Sequence, residues 1–202
     1  MSPSQVRRFF RILARELNAP ATIILTGAAA GSLLGHVRPS RDVDFAILLR
    51  RQTPERWAAV ERAVARTRQL TGIDANYAAD IDRWSSVTLL DYRRHTRPVE
   101  RFGPLTLRVL DPAYWSIGKI SRSLRSDIED LVRVFQRQRV PAGRVLRLWA
   151  RAIRHSPPSP ALTTCRQHVE GFLREFGREI WGETFDAERA IRQFQTYLAR
   201  SR

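Results

Sequence analysis

The first part of the chain alternates between helical and strand-like hydrophobic patterns. Residues 4–17 place apolar side chains on one face, which predicts an amphipathic helix that ends at residues 18–20. Residues 21–26 form a short apolar run that predicts a buried strand. Residues 28–34 are small and apolar, which is typical of a short helix packed tightly against a sheet.

Further strands and a long helix follow this opening. Residues 42–49 alternate Asp, Val, Asp and Phe before they become uniformly apolar, which predicts a second strand. Thr53 and Pro54 predict the start of a helix that ends at Gly72. Additional strands are predicted at residues 73–77, 87–90 and 105–110.

From residue 111 onward the hydrophobic pattern is helical throughout. The predicted helices span residues 114–122, 127–138, 144–155, 163–178 and 186–201. The Ser-Pro-Pro-Ser-Pro segment at residues 156–160 is short and stiff, so we expect it to join two packed helices. The chain therefore predicts an α/β (α+β) core followed by a C-terminal helical region.

Composition sets limits on size and location. The 202 residues, of which 43% are hydrophobic and 27% charged, suffice for one compact domain or for a core with a small appendage. The single cysteine, Cys165, excludes an intramolecular disulfide, and no apolar run has the length of a membrane-spanning helix. The chain begins with an arginine-rich amphipathic segment and not with a leader segment, so we expect a cytoplasmic protein.

The charge balance points to polyanionic partners. The formal net charge is +15, and all of the 35 basic residues except Lys119 are arginines. Such a field favours RNA or DNA, although a compositional bias of the source genome would produce the same excess of arginine. Because the arginines are spread along every predicted helix, the sequence locates no basic surface.

The segment at residues 25–49 carries the candidate chemistry. Side chains alternate along a strand, so Asp42 and Asp44 are expected to point to the same side. Carboxylate oxygens are ligands that Mg²⁺ prefers, and the remaining positions around the ion are filled by water and substrate phosphates. Gly27 and Ala28 form a glycine turn before a short helix, where backbone N–H groups can approach a triphosphate.

Each of these features also has an ordinary explanation. An Asp-x-Asp pair at the start of a strand is commonly a solvated strand end, Gly27 suits any tight turn, and Arg38 suits any surface loop. The order of strand, glycine turn, short helix, Arg-Pro-Ser loop and Asp-x-Asp favours a binding site over these readings. A third carboxylate would complete a two-metal arrangement; we predict Asp74 on the next strand, with Asp80 and Asp82 as alternatives.

This order of motifs resembles the signature of the DNA polymerase β-like nucleotidyltransferase superfamily. The residues that carry the resemblance are Gly27 through Gly35 and the run Arg38-Pro39-Ser40-Arg41-Asp42-Val43-Asp44. In particular, they resemble the minimal nucleotidyltransferases that include the AbiEii-type toxins of toxin–antitoxin and phage-defence systems. The resemblance extends over about residues 22–131 and departs from the family pattern at Ala28, where Gly or Ser is common.

A second element of the resemblance lies downstream. Lys119-Ile120-Ser121-Arg122 and the following SDIEDL, residues 126–131, are similar to the Lys and Arg-Asp-x-x-Asp elements of that group. Lysine is a compact point charge for phosphate, so a single lysine in an arginine-rich chain indicates a phosphate-binding role. Asp127 and Asp130 share a helix face and are expected either to orient Lys119 or the acceptor, or to pair with nearby arginines.

The resemblance implies a fold and an activity. It implies a polymerase β-like core at residues 1–118 with a mixed, largely antiparallel sheet, and a helical region at residues 119–202 that packs on it and closes over the cleft. The implied activity is the Mg²⁺- or Mn²⁺-dependent transfer of a nucleoside monophosphate from a nucleoside triphosphate. Its expected catalytic residues are Asp42, Asp44, Asp74 and Lys119, and the three aspartates are also expected to bind the metal. Its expected nucleotide contacts are Gly27, Ala28, Arg38, Ser40, Lys119, Asp127 and Asp130.

The acceptor is open at the level of sequence. RNA, for instance the end of a tRNA, is the leading expectation, while a protein hydroxyl or a small molecule such as an aminoglycoside are alternatives. An antitoxin protein is a further expected partner, and a membrane is not. The competing hypothesis is a catalytically silent nucleotidyltransferase fold that binds RNA or a partner protein.

Overall fold

The computed structural model describes residues 1–35 and 40–199, which form five β-strands and eight α-helices. The first half contains α1 (Pro3–Leu17), β1 (Ala21–Thr26), α2 (Gly27–Leu33), β2 (Asp42–Leu49), α3 (Pro54–Thr71), β3 (Asp74–Ala78), β4 (Thr96–Phe102) and β5 (Leu105–Leu110). The second half contains α4 (Pro112–Arg122), α5 (Arg125–Gln138), α6 (Ala142–His155), α7 (Pro160–Trp181) and α8 (Ala187–Ala199).

The strands form one mixed sheet in the order β3-β2-β1-β5-β4. β1 pairs antiparallel with β2 and parallel with β5, while β2 and β3 are parallel and β4 and β5 are antiparallel. The α/β class and the mixed sheet are therefore confirmed. The expectation of a largely antiparallel sheet is wrong, because parallel and antiparallel pairings are equally represented.

One predicted strand is wrong and one real strand was not predicted. Residues 87–90 form no strand; Val87 and Leu89 are buried as loop residues, and the Thr88 N–H donates to the Ser156 hydroxyl at 2.9 Å. The strand β4 instead contains Pro98 and is irregular between Pro98 and Glu100. An edge strand tolerates a proline and needs no continuous apolar face, so β4 has no clear periodic signal.

The chain divides into two compact units. The first comprises Met1–Ile81 and Arg93–Leu110 and holds the whole sheet with α1, α2 and α3; the second comprises Asp82–Tyr92 and Asp111–Arg202 and holds α4 to α8. The predicted boundary between residues 118 and 119 falls inside α4. The longer part of the helical unit begins at Asp111, the single residue between β5 and α4, and not at the lysine motif.

Aromatic packing in the first unit fixes the register of the strands that bear the candidate site. Phe10 of α1 meets Phe45 of β2 edge-on at 5.3 Å, and Phe45 stacks on Tyr77 of β3 at 5.7 Å. A slip of one residue would turn these rings to the other face of the sheet. Their burial therefore holds Asp44 and Asn76, one position earlier on each strand, side by side on the opposite face.

The second unit has its own aromatic core. Trp149 and Phe135 lie 6.1 Å apart, Phe172 packs edge-on against both, and the Trp149 indole N–H donates to the Ser116 hydroxyl at 2.9 Å. Within the described part of the chain, no helix combines the length and apolarity that crossing a bilayer requires.

Candidate active site

Asp42 and Asp44 lie on one side of β2, in the first unit. The intervening Val43 and the following Phe45 are completely buried on the other side. The Asn76 side-chain amide donates to Asp42 Oδ2 at 3.0 Å and to Asp44 Oδ1 at 2.9 Å. The two carboxylates therefore converge on a single nitrogen atom, as they would need to do to bind one cation.

Gly27 lies directly against this carboxylate pair. It follows Thr26, which is opposite Asp44 in the β1–β2 register, and its φ is +64°. A Cβ built on Gly27 would be 1.9 Å from Asp44 Oδ2 and 2.8 Å from Asp44 Cγ. Glycine is required here both for the backbone conformation and for the space, so the turn and the carboxylate form one site.

Three other residues of this part of the chain, Ser40, Ala28 and Arg38, were predicted to contact the nucleotide. The Ser40 hydroxyl donates to the Asp42 carbonyl oxygen at 2.8 Å and is 3.3 Å from Asp42 Oδ1, so it fixes the start of β2. Ala28 is half-buried as the second residue of α2. Arg38 lies outside the described residues, and its predicted role stays a prediction.

Asp74 is adjacent to Asp42 in the β2–β3 register but is engaged elsewhere. Arg68 Nη2 donates to Asp74 Oδ1 at 2.6 Å, and the Asp74 side chain is 74% exposed. Over residues 1–35 and 40–199, no three His, Cys, Asp or Glu side chains are grouped to hold a metal ion. The structure thus joins Asp42 and Asp44 to Asn76 and not to Asp74. The alternative Asp80 forms an ion pair with Arg93 at 2.6 Å.

Asn76 is the site residue that our reading of the sequence missed. It lies two positions after Asp74 on β3, so the Asp74-Ala75-Asn76 triplet repeats the alternation of Asp42-Val43-Asp44 on the neighbouring strand. That pattern was a usable signal. The expectation of a third carboxylate does not include Asn76, because its side chain is a carboxamide.

The donor set suits a hard divalent cation. Two carboxylates supply oxygen ligands, and the Asn76 carboxamide would supply a third if it turned its oxygen towards them. Mg²⁺ and Mn²⁺ prefer oxygen ligands, whereas Zn²⁺ sites are dominated by His and Cys, which are lacking among these three residues.

Lys119, in the second unit, is buried between two carboxylates. Its ammonium group donates to Asp127 Oδ1 at 2.8 Å and to Asp130 Oδ2 at 2.7 Å, and only 3% of its side chain is exposed. The Trp115 ring lies 5.4 Å from the same nitrogen and contributes a cation–π contact. Both aspartates thus contact Lys119, and the role of Lys119 in phosphate binding stays a prediction.

Arg122 pairs with Asp127 on the solvent-exposed side of the cluster formed by Lys119, Asp127 and Asp130. Its guanidinium donates to Asp127 Oδ2 at 3.1 Å and Oδ1 at 2.9 Å. Burial acts to raise the pKa of Asp127, but hydrogen bonds from Arg122 and Lys119, together with their charges, outweigh it and leave the pKa below its ordinary value. Both alternatives for Asp127, an orienter of Lys119 and a partner of an arginine, therefore occur together.

Comparison of the chain with protein-family models, with curated proteins and with solved structures gives no match. Membership of the nucleotidyltransferase superfamily therefore stays a prediction from the motifs, and the function has to be argued from the geometry of the site.

Proposed function

We propose that the protein is a divalent-cation-dependent nucleotidyltransferase that moves a nucleoside monophosphate from a nucleoside triphosphate to a hydroxyl acceptor. The observation that carries the proposal is the convergence of Asp42 and Asp44 on one point, directly against the side-chain-free Gly27. Two negative charges held together beside an open turn are unfavourable in a purely structural element. They are favourable where a cation binds.

Asp42 and Asp44 would hold Mg²⁺ or Mn²⁺, with Asn76 as the residue that keeps the two carboxylates apart and aligned. The bound ion would neutralise triphosphate charge and polarise the reacting phosphoryl group. Because Gly27 has no side chain, the Asp44 carboxylate packs directly against its backbone, so a polyphosphate bound through the ion would lie beside this turn. Ser40 contributes by fixing the backbone and carboxylate of Asp42.

The proposed reaction is an in-line displacement at phosphorus. The acceptor hydroxyl oxygen forms a bond to the α-phosphorus, the bond between that phosphorus and the oxygen bridging to the β-phosphate breaks, and pyrophosphate leaves. Asp74 remains our candidate to accept the hydroxyl proton, because it lies beside Asp42 in the register. For that role its exposed ion pair with Arg68 must open, and such surface pairs contribute little stability.

The proposed acceptor is RNA. The net charge of +15 favours a polyanionic acceptor over a neutral or cationic small molecule. A second function, a catalytically silent RNA-binding module, is favoured by one observation: the position beside Asp44 on β3 is occupied by Asn76 and not by a carboxylate.

The two functions are separated by a transfer assay. The protein is incubated with Mg²⁺, RNA and each nucleoside triphosphate labelled at the α-phosphate, beside the Asp42→Asn/Asp44→Asn double variant, which keeps the shape of both side chains. Transfer by the wild type, reduced by about 10³-fold in the variant, supports the enzyme. Equal RNA binding by both proteins with no transfer by either supports the silent module.

A further inference from the structure

An exposed row of arginines runs along α1. Arg8, Arg11 and Arg15, which we call the α1 arginine row, are all exposed, and their spacing of three and four residues places them on one face. Their separations along the helix axis are about 4.5 and 6 Å. The opposite face of α1 is fully buried in the first unit through Val6, Phe9, Phe10, Leu13 and Ala14.

The row leads away from the candidate active site. The Met1 nitrogen donates to the Ser40 carbonyl oxygen at 2.8 Å, and Ser40 in turn bonds Asp42. The start of α1 is therefore held beside the carboxylate pair. At about 1.5 Å per residue, Arg8 lies roughly 8 Å and Arg15 roughly 18 Å along the helix from its start.

Little negative charge neutralises this row. Arg7, at its margin, pairs with Glu100 at 3.1 Å, but in the portion of the chain that is described neither Arg8 nor Arg15 has a carboxylate within ion-pair distance. The Arg11 guanidinium lies 5.8 Å from the centre of the Phe102 ring, which holds it in place without cancelling its charge. The row therefore presents three cationic groups to a ligand.

A small cavity opens at the far end of the row. It has a volume of about 250 Å³ and is lined by Arg11, Arg15, Asn18 and Phe102, with Gly103 and Pro104 at its edge. Guanidinium planes stack on nucleobases, and a carboxamide hydrogen-bonds to base edges. Bases of a duplex are stacked and paired, whereas a base of a single strand can turn into such a cavity.

We propose that the α1 arginine row binds the phosphodiester backbone of the single-stranded RNA acceptor, with one base held in the cavity at Asn18. The identity of the strand as the acceptor rests on the proposed function; the binding itself does not. An anionic membrane fits this face less well, because α1 has no exposed apolar side to insert into a bilayer.

The test is RNA binding by charge-neutralised variants. A labelled single strand of about 12 nucleotides is titrated with the wild type and with Arg8→Gln/Arg11→Gln/Arg15→Gln between about 50 and 200 mM salt. Loss of three phosphate contacts should weaken binding by about tenfold or more and flatten the slope of log affinity against log salt by about 2. The triple Arg-to-Lys variant should retain most of that slope.

A matched control separates a located surface from bulk charge. Arg137, Arg166 and Arg178 are exposed arginines of the second unit, and their triple change to Gln removes the same charge. We expect this control to bind RNA within about threefold of the wild type. An equal loss in control and row variants overturns the proposal, as does row-dependent binding of phosphatidylserine vesicles without binding of RNA.

The result is independent of whether the enzyme proposal holds. The Asp42→Asn/Asp44→Asn variant should bind RNA like the wild type while its transfer activity is lost. If transfer is absent in every protein but the row variant alone fails to bind RNA, the proposed function is wrong and the RNA surface is right. If transfer occurs and the row variant binds and labels RNA like the wild type, the surface is wrong and the function is right.

Discussion

The substitution Gly27→Ala perturbs the candidate site through one atom. The added Cβ would lie 1.9 Å from Asp44 Oδ2, whereas real Cβ atoms essentially never approach closer than 3.0 Å. Asp44 must therefore retreat by at least about 1 Å, which disturbs its 2.9 Å hydrogen bond with Asn76. The backbone adds a second penalty, because alanine at a φ of +64° is strained.

The two penalties have separable magnitudes. A left-handed backbone costs a non-glycine residue about 1–2 kcal/mol, and forcing an extra carbon into a filled space costs about 1–3 kcal/mol. We expect Gly27→Ala to lower the free energy of unfolding by about 2–5 kcal/mol and still to fold. A misplacement of about 1 Å at the reacting centre reduces catalysis by about 10²-fold, so transfer activity should fall by at least that factor.

Gly72→Ala is the matched control. Gly72 has a φ of +68° and also belongs to the first unit, but a Cβ there would meet nothing within 4 Å. It should incur the backbone penalty alone, about 1–2 kcal/mol, with no change in transfer. Urea denaturation gives the stabilities, and labelled-nucleotide transfer with calorimetric Mn²⁺ titration reports on the site. The reasoning is refuted if Gly27→Ala matches Gly72→Ala in stability and binds Mn²⁺ and transfers like the wild type.

Three further changes test the charged clusters. Asn76→Asp adds a carboxylate facing Asp42 and Asp44, so we expect the free energy of unfolding, measured by urea denaturation, to fall by about 2 kcal/mol and millimolar Mg²⁺ to restore it. A loss of stability that Mg²⁺ does not change contradicts the cation site. Lys119→Met leaves the buried carboxylates of Asp127 and Asp130 without their cation and should lower the free energy of unfolding by about 3–5 kcal/mol. A decrease below about 1 kcal/mol would show that these carboxylates do not depend on Lys119 for their stability. The pKa of Asp127 is lower in the folded protein than its ordinary value of 3.8. The stabilisation that its carboxylate provides is therefore complete above that ordinary value and is lost as the pH falls below it towards the folded pKa. Asp127→Asn should remove this acid-dependent part of the free energy of unfolding, and an unchanged dependence of stability on pH would contradict the reasoning.

The elements with strong periodicity were predictable from the sequence, and so was the geometry of the carboxylate pair. Strand alternation alone places Asp42 and Asp44 on one side, and the structure has them there. The sequence predicted that a glycine is needed at position 27, but it did not predict the physical reason. The sequence suggested a turn that phosphates approach, whereas the structure shows a contact with Asp44 that leaves no room for a Cβ.

What escaped prediction depends on tertiary contacts. Val87 and Leu89 have the pattern of a strand, but their burial anchors a loop. Asp74 and Asn76 are both polar residues on one side of β3, but Asp74 pairs with Arg68, six residues before it, while Asn76 meets the carboxylate pair. Neither outcome follows from local spacing, because each depends on a partner brought close by the fold.

The most direct test of the central claim is to locate Mn²⁺ by anomalous diffraction in crystals grown with a non-hydrolysable nucleoside triphosphate. We expect one anomalous peak about 2.2 Å from oxygens of both Asp42 and Asp44, with triphosphate oxygens completing the coordination and the polyphosphate lying over Gly27. A nucleotide bound elsewhere, with both carboxylates still accepting hydrogen bonds from Asn76 and no peak between them, would contradict the account.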